Sequence, residues 1–345
     1  MNSMRNECAK PVGVILGAYV ISMILIFILA VWTASPFSWW FRDTQYVLLA
    51  VLSYIVVLGI VWDGSLVSIG LICEAWSHGK SKLKGDITVE SMRKIRFFTC
   101  GFAPVLMIVL TSWVILGTSN ITLISLNLVG HVTHWRDPYL WRLEGPIIEW
   151  ITKRPINVTA WDSLYHSAWL IEMFAAFVLI VIGRGSRIIL YFCLSIILLF
   201  YFGRFAGLVN PIMGPAFFHP ELFKYLDGSI SDKAMHLVSS IMASPAENAI
   251  EDGGVLLGGV SAMPSLHVAM VAVTSYWLAV SRRWTLFVTV PWVLLVWTST
   301  VVLGWHYILD GAGGIAFGAG CIWLTNLLLR RILDDDAIVM QSSMG

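Results

Sequence analysis

Two histidines stand near the C-terminal end of this chain, each at the edge of a long apolar run. The first closes Ser261-Ala262-Met263-Pro264-Ser265-Leu266-His267. The second lies in Ser299-Thr300-Val301-Val302-Leu303-Gly304-Trp305-His306-Tyr307-Ile308-Leu309-Asp310. One hydrophobic hairpin separates them, so both can face the same membrane surface. Two imidazoles and a carboxylate brought together there suit phosphoryl transfer, which asks for in-line positioning and charge neutralisation more than for covalent machinery.

In the first stretch, Pro264 fits the first turn of a helix, where its missing N–H costs nothing. The unpaired N–H groups of such a turn, with the positive end of the helix, make a place for an anion. Ser265 adds a hydroxyl and His267 a titratable ring. Gly258, Gly259 and Ser261 allow close backbone approach just upstream. In the second stretch, His306 and Asp310 are four residues apart and share a face if helical. The carboxylate can then fix the imidazole tautomer and leave the other nitrogen as nucleophile or base. Taken singly, such a pair reads sooner as a buried tie between spans, or as two ligands of a metal whose remaining ligands the sequence does not cluster. The two stretches together favour function, because ionisable groups beside membrane spans are costly.

The elements that must position these residues are membrane helices. Of 345 residues 58% are hydrophobic and 12% charged, and the mean hydropathy is +0.79. A soluble domain carries about 25% charged residues, so the expected fold class is all-α, a polytopic membrane helix bundle. A span needs about 20 apolar residues. Runs at roughly 12–33, 45–63, 99–117, 166–183, 187–208, 265–281, 284–304 and 307–329 predict about eight spans. The stretch 64–77 either extends the second or lies along the interface. The first run follows a short basic head but is long enough to span, with no small-residue cleavage site after it, so it reads as retained. The net charge of +1 shows no basic excess and argues against nucleic acid as a partner. The five cysteines (Cys8, Cys73, Cys100, Cys193, Cys321) fall in spans or on the basic side, which argues against a disulfide framework.

Lys and Arg orient the bundle. Fourteen of the 22 lie on one side: Arg5, Lys10, six in the loop 78–98, Arg184, Arg187, Arg282, Arg283, Arg330 and Arg331. That predicts cytoplasmic termini and histidine stretches facing the periplasm, lumen or exterior. Two long loops share that outer side. In 118–165, the mixture from Trp135 to Ile151 predicts a helix lying in the interface. In 209–264, Pro211, Gly214, Pro215 and Pro220 precede a patterned segment from Glu221 to Met242. Each loop reads as interfacial packing or as substrate lining. Asn120-Ile121-Thr122 and Asn157-Val158-Thr159 match the glycosylation pattern. Gly311, Gly313, Gly314, Gly318 and Gly320 predict close packing of the last span. The acidic run Asp334-Asp335-Asp336 reads as a solvated end.

Pro264-Ser265-Leu266-His267 and the Ser299…His306…Asp310 spacing resemble the second and third signatures of the type 2 phosphatidic acid phosphatase superfamily. The resemblance covers about residues 99–330. It implies a six-span catalytic domain in 99–345, with 1–98 adding two accessory spans and a basic cytoplasmic loop. It implies His306 as a nucleophile forming a phosphohistidine, Asp310 orienting it, His267 as the acid for the leaving oxygen and Ser265 as a phosphate ligand. The family works without a metal, so no cofactor is expected. The family's first signature, Lys-x6-Arg-Pro, is absent after the relevant span. The one Arg-Pro, Arg154-Pro155, has Ile147 at the lysine position, and Thr300 follows Ser299 where an arginine is expected. Arg204 is the candidate substitute, or an arginine snorkelling to the interface. Pro264 and Ser299 complete the substrate-binding set. The depleted basic set, Pro211-Ile212-Met213-Gly214-Pro215 and Gly304-Trp305-His306-Tyr307 are closest in pattern to the inositol phosphorylceramide synthase branch.

The resemblance thus implies a membrane lipid phosphoesterase or phosphotransferase. It would move a phosphoryl or phospho-headgroup from a lipid phosphate or phospholipid to a polyol or lipid alcohol, or to water. The alternatives are a lipid phosphate or polyprenyl diphosphate phosphatase and, outside enzymes, a transporter or scaffold. Between Pro211 and Met263, six acidic residues (Glu221, Asp227, Asp232, Glu247, Glu251, Asp252) face two lysines (Lys224, Lys233). Carboxylates accept hydrogen bonds without donating. That set suits a neutral polyol better than an anionic substrate, or is merely a solvated loop.

Overall fold

The computed structural model describes residues 2–41, 44–78, 103–129, 136–182, 186–243 and 261–342. The basic loop 78–98, apart from His78, lies outside them, as do Cys100, Arg184, Glu247, Glu251, Asp252, Gly258 and Gly259. Among the described residues the secondary structure is all helical. Seven helices are long and apolar enough to cross a membrane, and Leu266–Ser281 is a shorter apolar helix. The eight apolar runs therefore all fold as helices, and the chain is a polytopic helical bundle.

The first two helices are α1 (Asn2–Trp32) and α2 (Thr44–His78). The stretch 64–77 thus extends the second run. Next come α3 (Ala103–Gly117) and α4 (Ser119–Val129), which form one apolar span over Ala103–Leu128. This corrects the expected outer loop 118–165, which begins about eleven residues later. The polar triplet Thr118-Ser119-Asn120 cuts the hydropathy, yet all three residues are fully buried. Thr118 Oγ1 donates to the Ile115 carbonyl, and Asn120 exchanges two hydrogen bonds with the Ser38 backbone. A buried Asn120 is no glycosylation acceptor. Asn157 instead accepts from the Ala160 N–H at the start of the next span.

α5 (Asp137–Thr152) is followed by the spans α6 (Val158–Ile182) and α7 (Ser186–Val209). The span expected at 166–183 begins eight residues earlier, because Trp161, Tyr165 and Trp169 supply apolar surface around the polar Asp162 and His166. A short helix α8 (Pro215–Phe218) and two 3₁₀ turns (Pro220–Leu222, Lys224–Leu226) lead to the amphipathic α9 (Ile230–Ala243). The chain closes with α10 (Leu266–Ser281), α11 (Leu286–Val302) and α12 (Ile308–Ser342).

α7 is the axis. It packs on α12, α3, α10 and α4, while α1 and α2 pack on α3 from outside. α10 lies against α12, α11, α7 and α6. The main core runs through α1, α3, α6, α7, α10 and α12, and includes Met107, Leu179, Ile189, Leu199 and Val273. A second, smaller core gathers Leu140, Ile148, Tyr165, Ile212, Phe223, Leu226, Leu303 and Tyr307 at one end of the bundle. Both histidine stretches lie at that end.

Candidate active site

α11 stops because Gly304 lets it. Gly304 takes φ +73°, and a side chain there would collide with Phe223 and Ala216. The Trp305 N–H bonds back to the Thr300 carbonyl at 3.0 Å and the Gly304 N–H to Val301 at 3.0 Å. This is the glycine C-cap that ends helices in a left-handed residue. His306 therefore stands on a turn between two helices, not on a helix as its spacing from Asp310 suggested. Its N–H also reaches the Thr300 carbonyl, at 3.2 Å.

Asp310 sits in the first turn of α12. Its Oδ2 accepts the Tyr307 N–H at 2.7 Å, as a third-position acid does in a capping box. The same oxygen lies 3.7 Å from His306 Nδ1. That is charge-pair range but longer than a hydrogen bond. His306 Nδ1 and Asp310 Oδ1 are both buried and both lack a partner.

α10 begins beside this turn. Ser265 is its N-cap, with Oγ accepting from the Val268 N–H at 3.4 Å. Pro264 precedes the cap, so it lies outside the first turn where its residue type had placed it. The Ser265 N–H donates to the Asp310 carbonyl at 3.0 Å, tying the two motifs together through backbone. Gly314 allows that approach, since a Cβ there would lie 2.5 Å from the Ser265 carbonyl. The N–H groups of Leu266 and His267 have no intrahelical acceptor in the first turn of α10.

The His267 and His306 ring centroids are 6.4 Å apart. Tyr165 of α6 stacks on His267 at 4.5 Å and on Trp305 at 5.8 Å, with only 9° between the latter two planes. Its hydroxyl lies 3.4 Å from His267 Nδ1. Trp305 is pinned in turn, its Nε1 donating to Ser231 Oγ at 3.1 Å. Ser231 belongs to the first turn of α9, where Asp162 accepts the Ile230 and Ser231 N–H groups at 2.7 and 3.1 Å. His166 Nε2 lies 3.5 Å from the same carboxylate.

Two further acids come from α5. Asp137 accepts the Met213 and Gly214 N–H groups at 3.0 and 2.9 Å, and the Tyr307 hydroxyl at 3.3 Å. Glu144 accepts the Ile308 and Leu309 N–H groups at 2.5 and 2.8 Å, which caps α12 from outside. Burial raises the Asp137 carboxyl above its ordinary range, while those donors hold it partly down. Burial likewise raises Glu144, with the Asp310 charge acting in the same direction. The sequence leaves α5 open between interfacial packing and substrate lining, without singling out either acid. The overlooked signal is the spacing of Asp137 and Glu144, two helical turns apart on one face.

The remaining predicted residues are placed differently. Ser299 Oγ donates to the Val296 carbonyl of its own helix, 2.6 Å away, and is fully buried. Arg204 Nη1 donates to Thr122 Oγ1 of α4, and its Nε has no partner. No described contact joins Arg204 to His267, His306 or Ser265. Its neighbours on α7 do reach the site, Gly203 touching Leu266 and Gly207 touching Ser261. Gly311 and Gly318 pack closely, against the Trp297 ring and Val273, whereas Gly320 faces open space. Among the described residues no three His, Cys, Asp or Glu side chains converge as a metal site requires.

Fold and site together define a polytopic helical membrane protein whose two histidine motifs converge at one end of the bundle. A family model described as the PAP2 superfamily matches residues 140–324, more than half of the chain. The chain belongs to that superfamily. Membership suggests phosphatase or phosphotransferase chemistry on a lipid, and seven long apolar helices suit a substrate held in a bilayer. No curated protein and no solved structure matches the chain.

Proposed function

We propose that the protein is a membrane lipid phosphotransferase working through a phosphohistidine. The observation that carries this reading is the facing pair His267 and His306, 6.4 Å apart, with Asp310 behind His306. On this reading a phosphoryl centre and its leaving oxygen lie between the two rings. Asp310 faces Nδ1 of His306 and leaves Nε2 to attack phosphorus. The bond from phosphorus to the lipid oxygen breaks, and that oxygen takes a proton from His267. In the second half, an acceptor alcohol or water gives its proton to His267 and displaces Nε2. The first-turn N–H groups of α10 and the Ser265 hydroxyl hold the phosphate oxygens.

Pro264 and Ser299 shape the site as backbone. Pro264 sets the entry to α10, and the Ser299 carbonyl accepts the Leu303 N–H at 2.9 Å in the turn that carries His306. Arg204 supplies positive charge from the level of Leu266. Residues 99–345 form the catalytic unit and 1–98 an accessory one, with the site on the outer side of the membrane as the Lys and Arg distribution indicates. Transfer is favoured over hydrolysis because the segment 214–226 packs over the catalytic turn. Phe223 lies against Gly304, and the Ala216 N–H bonds the Gly304 carbonyl at 3.0 Å. Such a cover limits attack by water on a phosphoenzyme.

The test is a lipid donor carrying radioactive phosphate. Wild-type protein should retain acid-labile, base-stable label and pass it to an added alcohol, and His306→Ala should retain none. Label that survives acid, or that persists in His306→Ala, would sink the phosphohistidine. Release only of free headgroup with every alcohol offered would leave a lipid phosphate or polyprenyl diphosphate phosphatase.

A further inference from the structure

We infer that Tyr165 is the positioning residue of His267, and that its hydroxyl sets which proton His267 can move. The inference rests on the reading of His267 as the proton-moving group of the reaction.

The two histidines have unlike partners. His306 is backed by a carboxylate, 3.7 Å from its Nδ1. His267 has no carboxylate partner among the described contacts. Among the described contacts, the polar group at its ring is the Tyr165 hydroxyl, 3.4 Å from Nδ1, and the phenol ring lies stacked against the imidazole at 4.5 Å. Tyr165 is itself fixed. It is buried within the second core and also stacks with Trp305, their ring centroids 5.8 Å apart. The phenol is thus in ring contact with both the residue preceding the nucleophile and the acid.

The difference in partner assigns the roles. A carboxylate favours the imidazolium, which suits a nitrogen that must hold positive charge once phosphorylated. A neutral phenol oxygen favours it less, because hydrogen bonds to ionised acceptors are the stronger kind. His267 is then the readier proton donor of the two. In the charged ring Nδ1–H donates to Tyr165 Oη and the Nε2 proton is the one released. It goes to the leaving lipid oxygen as the P–O bond breaks. Nδ1–H remains on Tyr165 Oη, so Nε2 keeps its lone pair ready for the proton of the incoming alcohol or water. One tautomer serves both halves of the reaction and the ring need not turn.

The charged and titratable groups around His267 are few. From α6 come Tyr165 and His166, the latter with Asp162 behind it. The catalytic turn brings His306, with Asp310 in the first turn of α12. On α7, Arg204 is engaged with Thr122. Glu172 of α6 lies about two helical turns from Tyr165, and Arg282 and Arg283 lie at the opposite end of α10. None of these reaches Nδ1 in a described contact.

The experiment is the pH–rate profile of full-length protein in lipid nanodiscs, using single-turnover transfer from a labelled phospholipid. Tyr165→Phe keeps the stacked ring and removes the hydroxyl. The limb that responds to His267 should move to lower pH by about one unit, a tenfold change in its protonation equilibrium. The other limb should stay in place, and KM should change by less than twofold. Replacing Tyr165 with 4-methylphenylalanine fills the hydroxyl's volume with a group that neither accepts a hydrogen bond nor ionises. It should move the same limb in the same direction by about as much. Profiles that superimpose on wild type in both variants, or a loss equal at every pH, overturn the inference while His267→Ala remains inactive. Near-normal turnover by His267→Ala overturns the underlying reading as well.

Discussion

Glu144 offers the sharpest test of how the turn at His306 is held. Its carboxylate takes the Ile308 and Leu309 N–H groups at 2.5 and 2.8 Å, the first two donors of the helix that carries Asp310. Hydrogen bonds to a charged acceptor contribute about 1.5–3 kcal/mol each. Leu309 is 42% exposed, so water replaces part of that contribution when the carboxylate is removed. Removing it also relieves a desolvated acid that repels Asp310. The net expectation for Glu144→Ala is a loss of about 2 kcal/mol, read as a lower thermal midpoint in nanodiscs. Activity should fall further than stability, by roughly 10-fold or more, because a small misplacement of catalytic groups is expensive. Glu144→Gln should recover at most half of the stability, since the amide accepts through one oxygen and sets an N–H₂ against the other donor. Its pH dependence has a definite sign. A carboxyl raised by burial contributes most below its unfolded pKa, and that contribution declines as pH rises through the folded value. The stability gap between wild type and Glu144→Gln should therefore narrow from pH 5 towards pH 8. Unchanged midpoint and rate in Glu144→Ala would refute the reasoning, as would a Gln variant equal to wild type at every pH.

Asp310→Asn keeps an oxygen for the Tyr307 N–H but loses the charge facing His306. The thermal midpoint should hold while turnover falls on the order of 10⁴-fold, and an active Asn variant would remove Asp310 from the mechanism. Arg204→Gln should raise KM about tenfold if its charge reaches the phosphate, with Thr122→Val near wild type as the control. An unchanged KM with a lowered midpoint would instead assign Arg204 to the tie between α7 and α4. For orientation, cysteines replacing Lys153 and Lys224, both exposed, should react with an impermeant thiol reagent from outside the cell, and one replacing Thr88 should not. The opposite pattern would put the site on the cytoplasmic side.

The histidine motifs were legible because their chemistry is local. Pro264, Ser265 and His267 lie within four residues, and His306 and Asp310 within five. Gly304 was legible too, as a glycine where an apolar run ends. What could not be read were partners supplied from far along the chain. Glu144 meets its donors 164 and 165 residues away, and Asp162 meets Ser231 across 69. Neither acid has a sequence neighbour that marks it as more than a polar residue near an interface. The boundary of the third span was misplaced for a related reason. Thr118 and Asn120 look like loop residues until the Ile115 carbonyl and the Ser38 backbone satisfy them inside the bundle. Arg204 stands out in the sequence by charge and level, and a sequence does not show that one of its nitrogens is already engaged.

α5 has a polarity opposite to that of a helix on a soluble protein. Asp137 and Glu144 turn inward to the turn at His306, while Tyr139, Leu143, Ile147 and Trp150 stand 68%, 67%, 49% and 58% exposed along the other side. In a bilayer that stripe floats among headgroups and acyl ends, with Arg154 placed over the Trp150 ring. On the proposed reading the lipid is a mechanical part of the protein. Thinning the bilayer, or replacing it with detergent, would shift the float, and Asp137 and Glu144 would pass that displacement to the loop at Gly214 and to the start of α12. Membrane thickness would then act on the geometry about His306, with no molecule entering the site.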